Sequence, residues 1–190
     1  MIKYKEYASE EEYFKHQAKK LDIQLGRKRK ESKARLKRQL IVARTCKKYS
    51  NGGTILCFGA RLGEEVIAFN EYGFKATGID LNPGVNNRFV IKGDMHNTPF
   101  EDNSFDCGYC NCLDHSNDIE KFVKEAKRII RDWMFLEVMD YAKIKPKEYE
   151  VAIWNHPDEP VKKFDGFKVV DNYDINKEYR LRFYALKRIV

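Results

Sequence analysis

Two periodicities divide the chain. Near the N-terminus the apolar positions recur at helical spacing: Phe14, Ala18, Leu21 and Leu25 stand at i, i+4, i+7 and i+11, and Leu36, Leu40 and Ala43 repeat the pattern over two turns. The residues between them are polar or charged, so each segment reads as an amphipathic helix with a stripe to bury. Two helices docked on a main domain, with Gly26 between them, are expected. From residue 51 short apolar runs alternate with helical ones. Ser50-Asn51-Gly52-Gly53 is a turn, Thr54 to Phe58 an apolar strand, and Gly59-Ala60-Arg61-Leu62-Gly63 a tight turn into a helix that opens with Glu64-Glu65. Lys75 to Asp80, Phe89 to Asp94, Ser104 to Cys110 and Trp133 to Val138 read as further strands. Ile119, Phe122, Val123, Ala126, Ile129 and Ile130 form one continuous apolar stripe, which predicts a helix from about Asp118. The segments Phe167–Asp171 and Glu178–Leu186 read as two last strands around a hairpin-sized gap from Asn172 to Lys177. Alternating β and α elements imply a mostly parallel sheet covered on both faces, with ligands bound at the carboxyl ends of its strands.

Composition narrows the class. The 190 residues are 43% hydrophobic and 34% charged, with a mean hydropathy of −0.66. A chain of this length buries roughly 70% of the surface it exposes when unfolded, enough for one domain with attachments. No stretch approaches the ~18–20 apolar residues of a membrane span, and the start lacks the apolar core of a signal peptide, so a cytoplasmic protein without membrane association is expected. The odd number of cysteines, Cys46, Cys57, Cys107, Cys110 and Cys112, suits free thiols. Charge is unevenly spread. Residues 1–50 hold 16 Lys/Arg against 6 Asp/Glu, net +10, and residues 51–190 hold 20 against 23, net −3. The chain therefore divides into a basic helical cap, 1–50, and a main domain, 51–190. Residues 27–38 carry eight cations and one acid; they are either a solvated helix face or a contact for a polyanion such as nucleic acid.

A tight glycine turn entering a helix, followed 21 residues after Gly59 by Asp80, suits an adenosine-type ligand: the turn permits close approach, and the acid can accept both ribose hydroxyls. Taken alone, the same residues could be an ordinary strand-to-helix turn and a loop cap. Four stretches in order are more specific. These are ILCFGARLGEEV (55–66), ATGIDLNP (76–83), VIKGDMHNTPFEDNSFDCGYCNCLDH (90–115) and FVKEAKRIIRDWMFLEV (122–138). Together they resemble the class I S-adenosylmethionine-dependent methyltransferases, in the branch with a short "type 11" domain. The resemblance implies a Rossmann-like α/β three-layer sandwich: a mostly parallel seven-stranded sheet with one antiparallel strand, here with N-terminal helices added. It implies S-adenosyl-L-methionine as cofactor. Gly59, Ala60, Arg61 and Gly63 would form the turn under the methionine part, and Asp80 would hold the ribose with Leu81 against the adenine. Asp94 would bond the adenine amino group, Met95 would add backbone contact and packing, and Asn111 would face the methionine end. Leu113, Asp114 and His115 would stand at the mouth of the substrate site.

Two departures change the chemistry. Cys57 stands where the family carries an acid, and Arg61 stands at the usual middle glycine. A side chain there would collide with the cofactor if the backbone held its ordinary shape. Arg61 is expected either to engage a carboxylate, the cofactor's own or Asp114, or to turn to solvent. The Pro-Gly-Gly turn common before the fifth strand is also missing, and a different turn at Arg131-Asp132 is expected. Methyl transfer is an in-line displacement, so a base is needed only when the nucleophile must lose a proton. Asp114 and His115 are the catalytic candidates, with His96 a second histidine at the same rim and helix capping the plainer role for the pair. His16 and His156 read as surface residues. Cys107 and Cys110 on one strand would point to opposite faces, so no metal site is expected. The Asp/Asn-Pro-Pro-Tyr signature of amino-methylating nucleic-acid enzymes is absent after the fourth strand, and Tyr141, Tyr149, Trp154, His156 and Pro157 could be either acceptor walls or core. The reading is methyl transfer to a small-molecule or glycan acceptor, on oxygen. Its alternatives are an RNA-directed methyltransferase using residues 27–38 and a non-catalytic cofactor-binding module.

Overall fold

The computed structural model describes residues 1–25, 29–84, 86–142, 144–176 and 180–189, without the side chains of residues 20–25, 29–32 and 176. The expected break at Gly26, the side chains of Leu21 and Leu25, most of the basic run before Lys33, and the end of the last hairpin gap lie outside that description. A short strand β1 (Lys3–Tyr4) leads to α1 (Glu10–Leu25) and α2 (Arg29–Cys46). Then follow β2 (Gly53–Phe58), α3 (Glu64–Glu71), β3 (Phe74–Asp80), β4 (Val90–Lys92) and β5 (Phe105–Cys110). A 3₁₀ turn at Leu113–His115 precedes α4 (Ile119–Ile129), β6 (Ile130–Met139), β7 (Ala152–Ile153), α5 (Asp158–Val161), β8 (Phe167–Asn176) and β9 (Leu181–Arg188).

Seven strands form one sheet in the order β4-β3-β2-β5-β6-β9-β8, and β9 alone runs antiparallel to its neighbours. The chain leaves β2 toward β3 and returns on its other side as β5, so the crevice between the ends of β2 and β5 is the topological switch point. Period-two alternation divides the core. Leu56, Phe58, Cys110 and Leu136 face α4, whose Ile119, Phe122, Val123, Ala126 and Ile129 supply the expected stripe. Ile55, Cys57, Cys107 and Tyr109 face the other side with Val66 and Phe69 of α3 and Val42, Ala43 and Cys46 of α2. Cys107 and Cys110 therefore sit in opposite layers, and all five cysteines are free and buried. Burying each large aliphatic side chain contributes about 1.5–3 kcal/mol, so Val42 and its buried neighbours hold α2 in this layer with α3.

Two local expectations change. The fully buried stripe of α2 runs through Gln39, Val42, Ala43 and Cys46, while Leu36 and Leu40 pack against the same layer only in part. Gln39 earns its place by its contact with the hydroxyl of Tyr109, 2.9 Å away. No turn stands at Arg131-Asp132, because α4 ends at Ile129 and β6 begins at Ile130. Both residues lie within β6, Arg131 donating to Asp106 at 2.6 Å and Asp132 paired with Lys187 of β9. Among the described residues no helix is long and apolar enough to cross a membrane.

Candidate active site

A cavity of about 710 Å³ opens at the switch point, within the size range of small-molecule sites. One wall includes Gly59, Arg61, Asp80, Leu81, Gly93, Met95 and Asn111; Tyr13, Gln17, Asp114, His115 and Glu150 line it elsewhere. Gly59 turns the chain out of β2 with φ +66°, and a Cβ there would lie 2.3 Å from the thiol of Cys112, so only glycine fits. The turn's first N–H groups are engaged within the fold: Gly59 and Ala60 donate to the carbonyl of Ile79 at 2.8 and 3.2 Å, and Gly63 donates to Ala60. They lock the turn onto β3 instead of standing open to a ligand. Ala60 and Gly63 shape the wall from behind it.

Arg61 adopts the left-handed region, φ +29°, which turns its side chain back toward β3. Its N–H donates to Asp80 Oδ2 at 3.2 Å, and its Nε lies 3.5 Å from Asp80 Oδ1. The guanidinium engages a carboxylate, and that carboxylate is Asp80, not Asp114. Asn82 N donates to Oδ1 at 2.7 Å, so the carboxylate at the end of β3 is fixed from both sides and 6% exposed. Leu81 and Met95 line the cavity beside it. The carboxylate of Asp94 turns instead to His96, accepting from its backbone N–H at 2.9 Å and its ring Nδ1 at 2.7 Å. Burial would raise the Asp94 carboxyl, but these two donors outweigh it and hold the group below its usual range. His96 Nε2 lies 2.7 Å from Ser116 Oγ. With both nitrogens engaged and the ring buried, His96 is no rim residue and stands outside the catalytic candidates.

Asp114 and His115 occupy the 3₁₀ turn between β5 and α4. They cap nothing: the cap of α4 is Asp118, whose carboxylate accepts from Lys121 N at 2.9 Å. His115 Nδ1 lies 2.6 Å from the carbonyl of Tyr149, which can only accept, so Nδ1 carries a proton. Nε2 lies 3.9 Å from Asp114 Oδ1, and Asp114 Oδ2 accepts from the hydroxyl of Tyr141 at 2.7 Å. Burial and the neighbouring carboxylate push the Tyr141 phenol far up, keeping it a donor. From α1, Tyr13 donates to the carbonyl of His115 at 2.8 Å and Gln17 to that of Tyr149 at 3.1 Å. Sequence patterning missed these two residues, because both read as polar interruptions of a helix stripe. Trp154 and Tyr141 belong to the core and pack edge to face, whereas Glu150 of the same segment reaches the cavity. Ligand-type atoms of Asp114, His115 and Glu150 all lie within 4.8 Å of one another. His156 is exposed, as expected, and His16 stacks on Tyr149 with ring centroids 5.1 Å apart.

Acidic side chains missed from sequence complete the wall. Glu65 of α3 lines the cavity, 2% exposed, and accepts from Asn111 Nδ2 at 3.1 Å. Arg35 and Arg38 of α2 turn inward, Arg35 toward Glu64 and Glu65 and Arg38 toward Glu137 of β6.

Residues 56–133 match the family model described as a methyltransferase domain. No curated protein matches the sequence. Among solved structures, the chain resembles 1,6-didemethyltoxoflavin-N1-methyltransferase of Burkholderia thailandensis, with bound 1,6-didemethyltoxoflavin and S-adenosylhomocysteine, at TM-score 0.66 and 14% identity over 80% of this chain and 79% of that one. It also resembles the glycopeptide N-methyltransferase MtfA complexed with S-adenosyl-L-methionine, at TM-score 0.63 and 13% identity over 80% and 87%. The PH0226 protein of Pyrococcus horikoshii aligns at TM-score 0.62 and 16% identity over 77% and 86%. At these identities the likeness establishes the fold.

Proposed function

We propose that this chain, an S-adenosylmethionine-dependent methyltransferase by its domain match and its fold, methylates a small-molecule or glycan acceptor on oxygen. The observation that carries the acceptor reading is a cavity with the fixed carboxylate of Asp80 on its wall and His115 beside Asp114 also lining it. The residues present fit the cofactor. Asp80 would take the ribose hydroxyls, Leu81 and Met95 the adenine, and the turn at Gly59, Ala60, Arg61 and Gly63 with Asn111 the methionine part. Asp94, held by His96, would position the 93–95 segment against the adenine. When bound, S-adenosylmethionine supplies an electrophilic methyl group on a sulfonium sulfur. The protein's work is then alignment, exclusion of water and removal of one proton.

His115 is suited to that proton. Its Nδ1–H is committed to the Tyr149 carbonyl, so the proton of an acceptor hydroxyl would pass to Nε2. Asp114, 3.9 Å away, would stabilise the imidazolium that results, and Tyr141 keeps that carboxylate oriented. The polyanion alternative loses support because Arg35 and Arg38 are turned to buried carboxylates. Small-molecule and glycopeptide nitrogen atoms are the acceptors named for two structural neighbours, which makes nitrogen the competing outcome of a product analysis.

The test combines binding with product analysis. S-adenosylhomocysteine should raise the melting temperature, NADH should not, and Asp80→Ala should abolish the shift. Label from methyl-labelled S-adenosylmethionine should enter hydroxylated small molecules or saccharides and not RNA. His115→Gln should lower turnover by roughly 100- to 10,000-fold while preserving S-adenosylhomocysteine binding. A chelator should leave turnover unchanged. Stabilisation by NADH alone, or label in RNA, would overturn the reading.

A further inference from the structure

Two carboxylates from one helix turn are buried beside the cavity and, among the described residues, share the guanidinium of Arg35. Glu64 and Glu65 open α3 and are 5% and 2% exposed. One guanidinium serves both: Arg35 Nε lies 3.6 Å from Glu64 Oε1, and its Nη2 lies 4.0 Å from Glu65 Oε1. Among the described residues, Glu65 Oε2 and both oxygens of Glu64 have no hydrogen-bond partner. A helix N-terminus favours acids in its first turn, but acids placed for that reason alone face water, where solvation is kept. Glu65 instead lines the cavity and holds Asn111 at 3.1 Å. Burial drives its carboxyl upward against the opposing pull of Arg35, as expected of an ion lacking a close counter-charge. A buried carboxylate without a close counter-charge is costly to keep ionised, so its retention on a cavity wall calls for a cation that arrives with the ligand.

Position 57 cannot supply that contact. Cys57 is fully buried, and burial with the nearby Glu65 charge pushes its thiol well above its usual value, so it stays neutral. We propose that Glu65 and Arg35 together recognise the zwitterionic amino-acid end of the cofactor, Glu65 holding its ammonium and Arg35 its carboxylate. The assignment rests on the methyltransferase reading above and adds to it a recognition pair drawn from α3 and α2. The ligand's chemistry matches: one end offers ribose hydroxyls to Asp80, and the other carries one positive and one negative group. Arg35 is also a cavity-lining residue, and its pairings with the two glutamates, at 3.6 and 4.0 Å, are loose enough to exchange for a tighter one with a ligand carboxylate.

Calorimetric titration with two ligands tests this. S-adenosylhomocysteine carries the amino-acid end; 5′-methylthioadenosine has the same adenosine and thioether without it. Glu65→Gln should weaken S-adenosylhomocysteine about 10- to 100-fold, the range of a buried charge-assisted contact, and leave methylthioadenosine within about two-fold. Arg35→Gln should show the same selectivity with a smaller loss. Retained methylthioadenosine binding also proves that the variants are folded. Unchanged S-adenosylhomocysteine affinity in Glu65→Gln, or an equal loss for both ligands, overturns the proposal. If the unaltered protein binds neither ligand, the cofactor reading fails instead, and the two failures are distinguishable.

Discussion

At single residues, the environment decided which of several plausible side chains belongs to the chemistry. The three catalytic candidates, His96, Asp114 and His115, lie within twenty residues of one another, and nothing in their spacing ranks them. The structure ranks them by what each nitrogen or oxygen already holds. His96 bridges Asp94 and Ser116 with both ring nitrogens, at 2.7 Å each, while Ser116 Oγ also accepts from Asp118 N at 3.2 Å. This chain of hydrogen bonds links the segment before the cavity to the start of α4. His96→Ala should therefore remove the ring partner of a carboxylate and of a buried hydroxyl and cost about 1–3 kcal/mol in urea unfolding. A loss under about 0.5 kcal/mol would show that water replaces the ring at no cost, and the structural role given to His96 would be wrong. Arg61 shows the other limit of sequence reasoning. That a guanidinium in a glycine position would seek a carboxylate was legible, but the choice of Asp80 depended on a positive φ that no side-chain pattern encodes.

At the scale of elements, the strands and α4 were legible because each buries a face with its own period. α4 carries its apolar stripe from Ile119 to Ile129, and the strands' apolar runs are placed between two covered faces. The exits were less legible. Nothing in the sequence marks a direct passage from α4 into β6, since the stripe residue Ile130 serves a helix and a strand equally well. Long-range polar brackets were likewise invisible. Asp106 Oδ2 accepts from Thr54 N at 2.8 Å and Thr54 Oγ1 at 2.9 Å, while Arg131 donates to Oδ1, so one carboxylate joins the starts of β2, β5 and β6. Burial alone would raise this carboxyl, but the Thr54 donors and Arg131 outweigh it and lower it from 3.8. A carboxyl depressed by folding contributes stability that is complete above the unfolded value and is lost as pH falls through the folded one. Asp106→Asn should thus lower the melting temperature at neutral pH, and the gap to the unaltered protein should close as pH falls below about 4. A gap that persists unchanged at about pH 2 would mean that the bracket does not depend on its charge.

For the molecule as a whole, the division into a basic cap at 1–50 and a domain at 51–190 follows the charge, and the packing cuts across it. Val42, Ala43 and Cys46 of α2 are wholly buried in the layer formed by β2, β3, β5 and α3. Gln39 reaches Tyr109 within that layer, and Arg38 lies 3.6 Å from the buried carboxylate of Glu137. The net +10 of residues 1–50 is thus partly turned inward, against acids of a remainder whose net charge is −3. Domains of this size are stable by only about 5–15 kcal/mol, and each large side chain of α2 that loses its cover forfeits about 1.5–3 kcal/mol. A fragment of residues 51–190 should therefore show no cooperative thermal transition, or one lowered by tens of degrees. Adding S-adenosylhomocysteine should not rescue it, because Tyr13, Gln17 and Arg35 leave the cavity with the deleted helices. A fragment that melts cooperatively near the full chain's temperature would establish residues 1–50 as a separable cap. In that case its affinity for S-adenosylhomocysteine becomes the measure of what the N-terminal helices add to the site.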